Sequence, residues 1–166
     1  MISLNNYVKY RLKPQSELLP LFTNDMAILV CGKCFKAFSH TAEEECAVLT
    51  SLAEKSGKTT FKCTQADFLC SAERTKKILP TLLPEGTKKL LVAACGLGIQ
   101  TVASVTDIPV FAAADSIGEE GHHGMALSEL KCGGCGECYL NLTGGICPVV
   151  DCAKSLLNGQ CGGAKN

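Results

Sequence analysis

Twelve cysteines in a chain of 166 residues constrain this sequence more than any other feature. They are Cys31, Cys34, Cys46, Cys63, Cys70, Cys95, Cys132, Cys135, Cys138, Cys147, Cys152 and Cys161. The first residues, MISLNNYVKYRLK, carry no apolar stretch of the kind a secretory signal needs, so the expected compartment is the cytoplasm. Disulfides are disfavoured in that reducing environment. A chain of this length also needs no covalent staples to fold. Its thiols therefore read first as metal ligands.

The rest of the composition excludes other classes. Apolar residues make up 46% and charged residues 19%, enough for a packed core and against a disordered chain. Sixteen basic residues balance sixteen acidic ones, so the basic footprint of a nucleic-acid binder is missing. No apolar run approaches the roughly 18 residues of a membrane span.

Three regions follow along the chain. Residues 1–22 form a leader, with a short helix predicted over 15–22 after Pro14 and limited by Pro20. Residues 23–115 alternate strand and helix signals. Strands are predicted at Met26–Cys31, Thr59–Cys63, Leu90–Ala94 and Val110–Ala114, the first and third being short apolar runs suited to burial on both faces. Thr41 and Glu44 form a capping-box pattern that starts a helix running to about Lys55, with Gly57 to end it. A second helix is expected from Ala72 to Leu79 after Ser71, stopped by Pro80, and a third near Ile99–Val105. This alternation predicts a small doubly wound parallel sheet, Rossmann-like or flavodoxin-like, with helices on its faces. Residues 116–166 make a linker and an irregular cysteine-rich segment. The linker is turn-rich around Gly118, Gly121 and Gly124, with a short helix predicted at Met125–Leu130. From residue 132 onward large apolar side chains are too few for an ordinary core, so something else must organise the segment.

Cysteine spacing supplies a candidate. Cys132, Cys135 and Cys138 stand as C-x2-C-x2-C, and Cys147 is followed by Pro148. Three thiolates at that spacing wrap a corner of a cuboidal iron–sulfur cluster, and a later thiolate closes it. Zinc more often takes two separate C-x2-C pairs. The fourth ligand is left among Cys147, Cys152 and Cys161, with Cys147 preferred. A second set depends on the sheet. Cys31 and Cys95 end two strands, Cys34 lies in the turn after the first, and Cys70 follows the second, so the crevice at the strand ends can gather Cys31, Cys34, Cys70 and Cys95. Cys63 is the alternative to Cys70 there. Cys46 and Cys63 otherwise read as small apolar side chains. Cluster is favoured over zinc at this site, with zinc kept open.

Weaker signals carry less. Gly96-Leu97-Gly98 lacks the Lys and Ser/Thr of a phosphate loop and reads as close packing beside a metal centre. His122-His123 reads as a solvated or interfacial pair, and Glu43-Glu44-Glu45 as the acidic first turn of a helix.

The two regions together resemble a known family, the small iron–sulfur subunit (MetV type) of the methylenetetrahydrofolate reductases of acetogenic bacteria. The residues that carry the resemblance are Cys31-Gly32-Lys33-Cys34, the segment Ala94–Val102, and above all KCGGCGECYLNLTGGICPVVDCAKSLLNGQCGG over Lys131–Gly163. It runs from about Lys13 to the end of the chain and implies a domain that continues beyond Asn166. It implies metal ligation at Cys31, Cys34, Cys70, Cys95, Cys132, Cys135, Cys138, Cys147, Cys152 and Cys161, with two 4Fe–4S clusters and zinc possible at one site. The implied partner is a flavin-bearing catalytic subunit that reduces methylene-tetrahydrofolate to methyl-tetrahydrofolate, with FMN in that subunit only. An electron-donating redox subunit or ferredoxin would stand upstream. The expected function is thus electron transfer without bond chemistry in this chain. The alternatives are a zinc-containing structural adaptor and a thiol redox enzyme using Cys31 and Cys34. The second is weakened because its helix is predicted to start only after Thr41, not at the motif itself.

Overall fold

The structure, a computed structural model, describes residues 6–32, 41–58, 61–121, 132–157 and 161. Its elements in chain order are β1 (Asn6–Leu12), α1 (Gln15–Leu18) with a 3-10 turn at Leu19–Leu21, β2 (Met26–Cys31), α2 (Ala42–Lys55), β3 (Phe61–Ala66), α3 (Ala72–Leu82), β4 (Lys89–Ala93), α4 (Gly96–Ser104), β5 (Val110–Ala112), β6 (Ala114–Gly121), a 3-10 turn at Tyr139–Asn141, and α5 (Pro148–Asp151).

Four strands form one parallel sheet in the order β3-β2-β4-β5. The central strands read MAILVC and KLLVA, apolar at nearly every position because both sides of the sheet are covered. Side chains alternate along each strand. Ala27, Leu29, Leu90 and Val92 pack with Leu69, Leu79 of α3 and Ile99, Val102 of α4. Met26, Ile28, Val30, Leu91 and Ala93 pack with Leu18, Phe22 and with Leu49 and Ala53 of α2. Each fully buried Leu, Ile or Val in these layers contributes about 1.5–3 kcal/mol.

Helix α2 begins as its sequence predicts. The Glu44 N–H donates to Thr41 Oγ1 at 3.2 Å and the Thr41 N–H donates to Glu44 Oε2 at 2.9 Å, closing the capping box. Gly57, at φ +75°, turns the chain out of the helix.

Several expectations need correction. The second strand runs on to Ala66, held by pairing from Met26↔Phe61 to Cys31↔Ala66, so Cys63 lies inside it and not at its end. Pro80 does not stop α3. It sits within the last turn, and the Leu83 N–H still reaches the Leu79 carbonyl at 3.2 Å. Helix α4 starts at Gly96, three residues earlier than predicted, with Cys95 as its N-cap. The leader is more than a helix, and the linker is not all turn. Asn6–Leu12 and Ala114–Gly121 pair as an antiparallel ribbon, with a bulge between Lys9 and Tyr10. Finally, Cys46 of α2 and Cys63 of β3 form a disulfide, with Cα atoms 6.0 Å apart, where unpaired thiols were expected. Packing of α2 on β3 brings these two positions together. The helix predicted at Met125–Leu130 and the His122-His123 pair lie outside the described residues.

Replacing Thr41 by Ala should lower stability by about 1 kcal/mol in urea unfolding, with Thr41→Ser close to wild type. Equal loss in both variants would show that the cap hydroxyl contributes nothing.

Candidate metal centre

Because the four sheet strands are parallel, all their C-terminal ends open on one edge. Cys31 closes β2, Cys70 follows β3, and Cys95 lies just past β4. Asp115 and Ser116 stand beyond β5, at the start of β6. The cysteine-rich segment is laid across this edge.

That segment is anchored by identifiable bonds. Asn141 pairs with the open edge of β5 through both ends of its amide. Its Oδ1 accepts from the Ala112 N–H at 2.5 Å and its Nδ2 donates to the Ala112 carbonyl at 3.1 Å. Leu140, 2% exposed, inserts into the core layer formed with α3 and α4. The Cys138 N–H donates to Asp115 Oδ1 at 2.9 Å, and the Gly136 N–H to the Ser116 carbonyl at 2.6 Å. Gly136 holds φ +83°, a conformation L side chains avoid, which explains glycine inside this loop. The α/β unit therefore supplies part of the organisation that the segment lacks by itself.

Two groups of sulfurs result. Cys95 lies within electrostatic reach of Cys31, Cys70 and Cys132. Cys132, Cys135, Cys138 and Cys147 line one small pocket together with Gly96 and Ser116, continuous with solvent. Cys132 belongs to both groups. Its Sγ occupies space that only a glycine leaves free, since a Cβ on Gly96 would stand 2.8 Å from it. The Gly96 N–H in turn donates to Ser116 Oγ at 2.7 Å.

Burial dominates the chemistry of these thiols. It raises Cys95 well above the ordinary thiol value, with Cys31 adding to the shift and the Gly98 N–H opposing it. It raises Cys138 to about 11, against a bond from the Leu140 N–H and the positive charge of Lys13. Such sulfurs stay protonated unless a cation shares the site, and a coordinated metal deprotonates them outright. Cys152 differs. The N–H groups of Leu156, Lys154 and Ser155 hold its sulfur and lower its pKa. Cys135 and Cys161 are exposed, and Cys34 lies outside the described residues.

The donor set fits an iron–sulfur or zinc group. It is all sulfur, it carries backbone N–H donors to sulfur, and glycine gives it room at Gly96. Among the described residues, no three Cys, His, Asp or Glu side chains already stand at the spacing of a bound ion. Of the predicted ligands, the structure gathers Cys31, Cys70 and Cys95 on the sheet side and Cys132, Cys135, Cys138 and Cys147 around the pocket. Cys152 and Cys161 are not among the residues lining it.

Sequence reasoning missed the polar groups behind the sulfurs. The Tyr10 hydroxyl lies 2.9 Å from Glu45 Oε2 and 3.2 Å from the Cys31 carbonyl, and Glu45 is buried. Burial, then the Glu45 carboxylate, drive the Tyr10 pKa far up. Glu45 had read as one of three dipole-favouring acids; its spacing, three residues after Ala42 and four before Leu49, puts it on the face that α2 buries and was the signal that separates it from Glu43 and Glu44.

Comparison with known proteins bears on the same segment. Residues 111–166, about a third of the chain, match the family described as methylene-tetrahydrofolate reductase C terminal. No curated protein and no solved structure matches. The match relates β5, β6 and the whole cysteine-rich segment to methylene-tetrahydrofolate reductases. No described helix is long and apolar enough to cross a membrane.

Two outcomes follow from this geometry. Gly96→Ala should push Cys132 out of place and raise its alkylation rate, followed by mass spectrometry; an unchanged rate would contradict the close approach. The metal-free chain should lose stability as pH rises from about 9 toward 11. Unfolding there frees the Cys138 thiol to ionise, whereas the folded state keeps it protonated up to about 11. Thermal melts across that range should show the fall, and bound metal should abolish it.

Proposed function

We propose that this chain is an electron-transfer iron–sulfur subunit that passes electrons to the flavin-bearing catalytic subunit of a methylenetetrahydrofolate reductase complex. The observation that carries the reading is the position of Cys132, Cys135, Cys138 and Cys147 around one pocket, inside the segment that matches the reductase C-terminal family. The finer fold reading is a doubly wound, flavodoxin-like sheet whose strand ends form the second site. In that reading the tail centre takes Cys132, Cys135, Cys138 and Cys147, and the sheet centre takes Cys31, Cys70 and Cys95 with Cys34 as its fourth sulfur. Cys152 and Cys161 are the remaining candidates for completing either sphere.

A bound 4Fe–4S cluster supplies one-electron transfer with little rearrangement. The chain's own residues do the rest. The thiols hold the clusters, and Leu140 and Asn141 fix the tail against the sheet. The N–H groups of Gly98 and Leu140 stabilise charge on Cys95 and Cys138. Cys132, which lies within electrostatic reach of Cys95 and also lines the tail pocket, stands between the two groups. FMN and folate belong to the partner subunit, and a ferredoxin or other redox subunit supplies the electrons. The chain works in the cytoplasm, where the thiols remain available.

Anaerobic reconstitution followed by iron and sulfide analysis tests this, with electron paramagnetic resonance after dithionite reduction. Two cluster signals are expected, one of them lost in Cys135→Ala and both retained in Cys46→Ala. A colourless protein with stoichiometric zinc and no iron would replace the reading by a zinc-containing structural adaptor.

A further inference from the structure

One feature behind the tail centre costs free energy without adding a packed apolar contact. Lys13 Nζ stands 2.7 Å from Asp115 Oδ1, and both side chains are almost fully buried, 4% and 6% exposed. Glu17, half exposed, completes the set at 3.1 Å from Lys13 Nζ. Taking two charges out of water costs several kcal/mol per ion, and a well-packed apolar pair is often as stable or more so. The pair sits where the β1–β6 ribbon meets the cysteine loop. The Lys13 N–H is fixed to the Ala113 carbonyl at 2.9 Å, and Asp115 Oδ1 accepts the Cys138 N–H at 2.9 Å. Burial works against the charge on Lys13, but its bonds to Asp115 and Glu17 outweigh it and hold the ammonium protonated. The result is a fixed positive and a fixed negative charge, screened from solvent, immediately behind one ligand of the tail centre.

We propose that Lys13 and Asp115 are positioning residues whose buried charges set the reduction potential of the centre held by Cys132, Cys135, Cys138 and Cys147. Lys13 raises the potential and Asp115 lowers it, while the bond from Cys138 to Asp115 fixes their distance from the sulfur. The inference rests on the cluster reading given above. Reduction adds negative charge to the centre, so a nearby cation favours the reduced state and a nearby anion opposes it. Neither charge is screened strongly in a buried site.

The test is a potentiometric titration of the full reconstituted chain, followed by electron paramagnetic resonance, with the tail signal identified as the one lost in Cys135→Ala. Lys13→Met should shift that reduction equilibrium about tenfold toward the oxidised state, about 59 mV downward for one electron. Asp115→Asn keeps the oxygen that accepts the Cys138 N–H and should shift it upward. Lys13→Arg and the double variant Lys13→Met/Asp115→Asn should lie close to wild type. Opposite signs are the signature, because a pair with only a structural role would not move the potential in two directions. Shifts of one sign, or none, with iron content intact would overturn the inference and leave the cluster reading standing. If Lys13→Met takes up no iron, the upward shift in Asp115→Asn decides. A wild-type chain that takes up no iron removes both.

Discussion

The structure depends on one edge of one sheet. Parallel pairing of β3, β2, β4 and β5 sends every C-terminal strand end to the same side, and among the described residues that side carries Cys31, Cys70 and Cys95 together with the groups that fasten the tail. Cys31, Cys70 and Cys95 arrive there from separate strands. The tail arrives from elsewhere and is fastened by Asn141 to Ala112, Cys138 to Asp115 and Gly136 to Ser116. Among the described residues of the glycine-rich segment, Leu140 is the one apolar side chain fully buried, with Cys138 and Cys147 partly buried against the same core. So fastened, a sequence poor in apolar residues takes a defined course over the crevice.

Charge and burial explain why the arrangement is asymmetric. On the sheet side, Tyr10 and Glu45 form a buried polar pair against the Cys31 carbonyl. On the tail side, Lys13 and Asp115 place full charges behind Cys138. Burial holds Cys95 and Cys138 as neutral thiols, and a positively charged group sharing either site would favour their thiolates. The same burial lessens solvent screening and gives the neighbouring charges their reach.

Much of this was legible in the sequence, and the reasons differ by element. The apolar run Met26–Cys31 and the capping box at Thr41 are local signals, and both stand where they were read. The C-x2-C-x2-C triplet is also local, and its three sulfurs share a pocket with Cys147. What escaped depends on pairing distant in sequence. The residues of β1 and β6 have no strong strand pattern of their own, and each becomes a strand only against the other. Cys46 and Cys63 meet through the packing of α2 on β3, which spacing cannot reveal. Pro80 reads as a helix stop, yet the final turn of α3 closes around it through Leu79 and Leu83. Lys13 and Asp115 look like ordinary surface residues until the ribbon buries them together.

The central claim is that the gathered sulfurs hold iron at two places, one over the strand ends and one in the glycine-rich tail. Anomalous diffraction from a crystal of the anaerobically prepared chain, measured on both sides of the iron and zinc absorption edges, addresses it directly. The account predicts iron peaks beside Cys95 and inside the pocket lined by Cys135, Cys138 and Cys147. Zinc at both positions, or sulfurs there joined in disulfides with no metal peak, would contradict it.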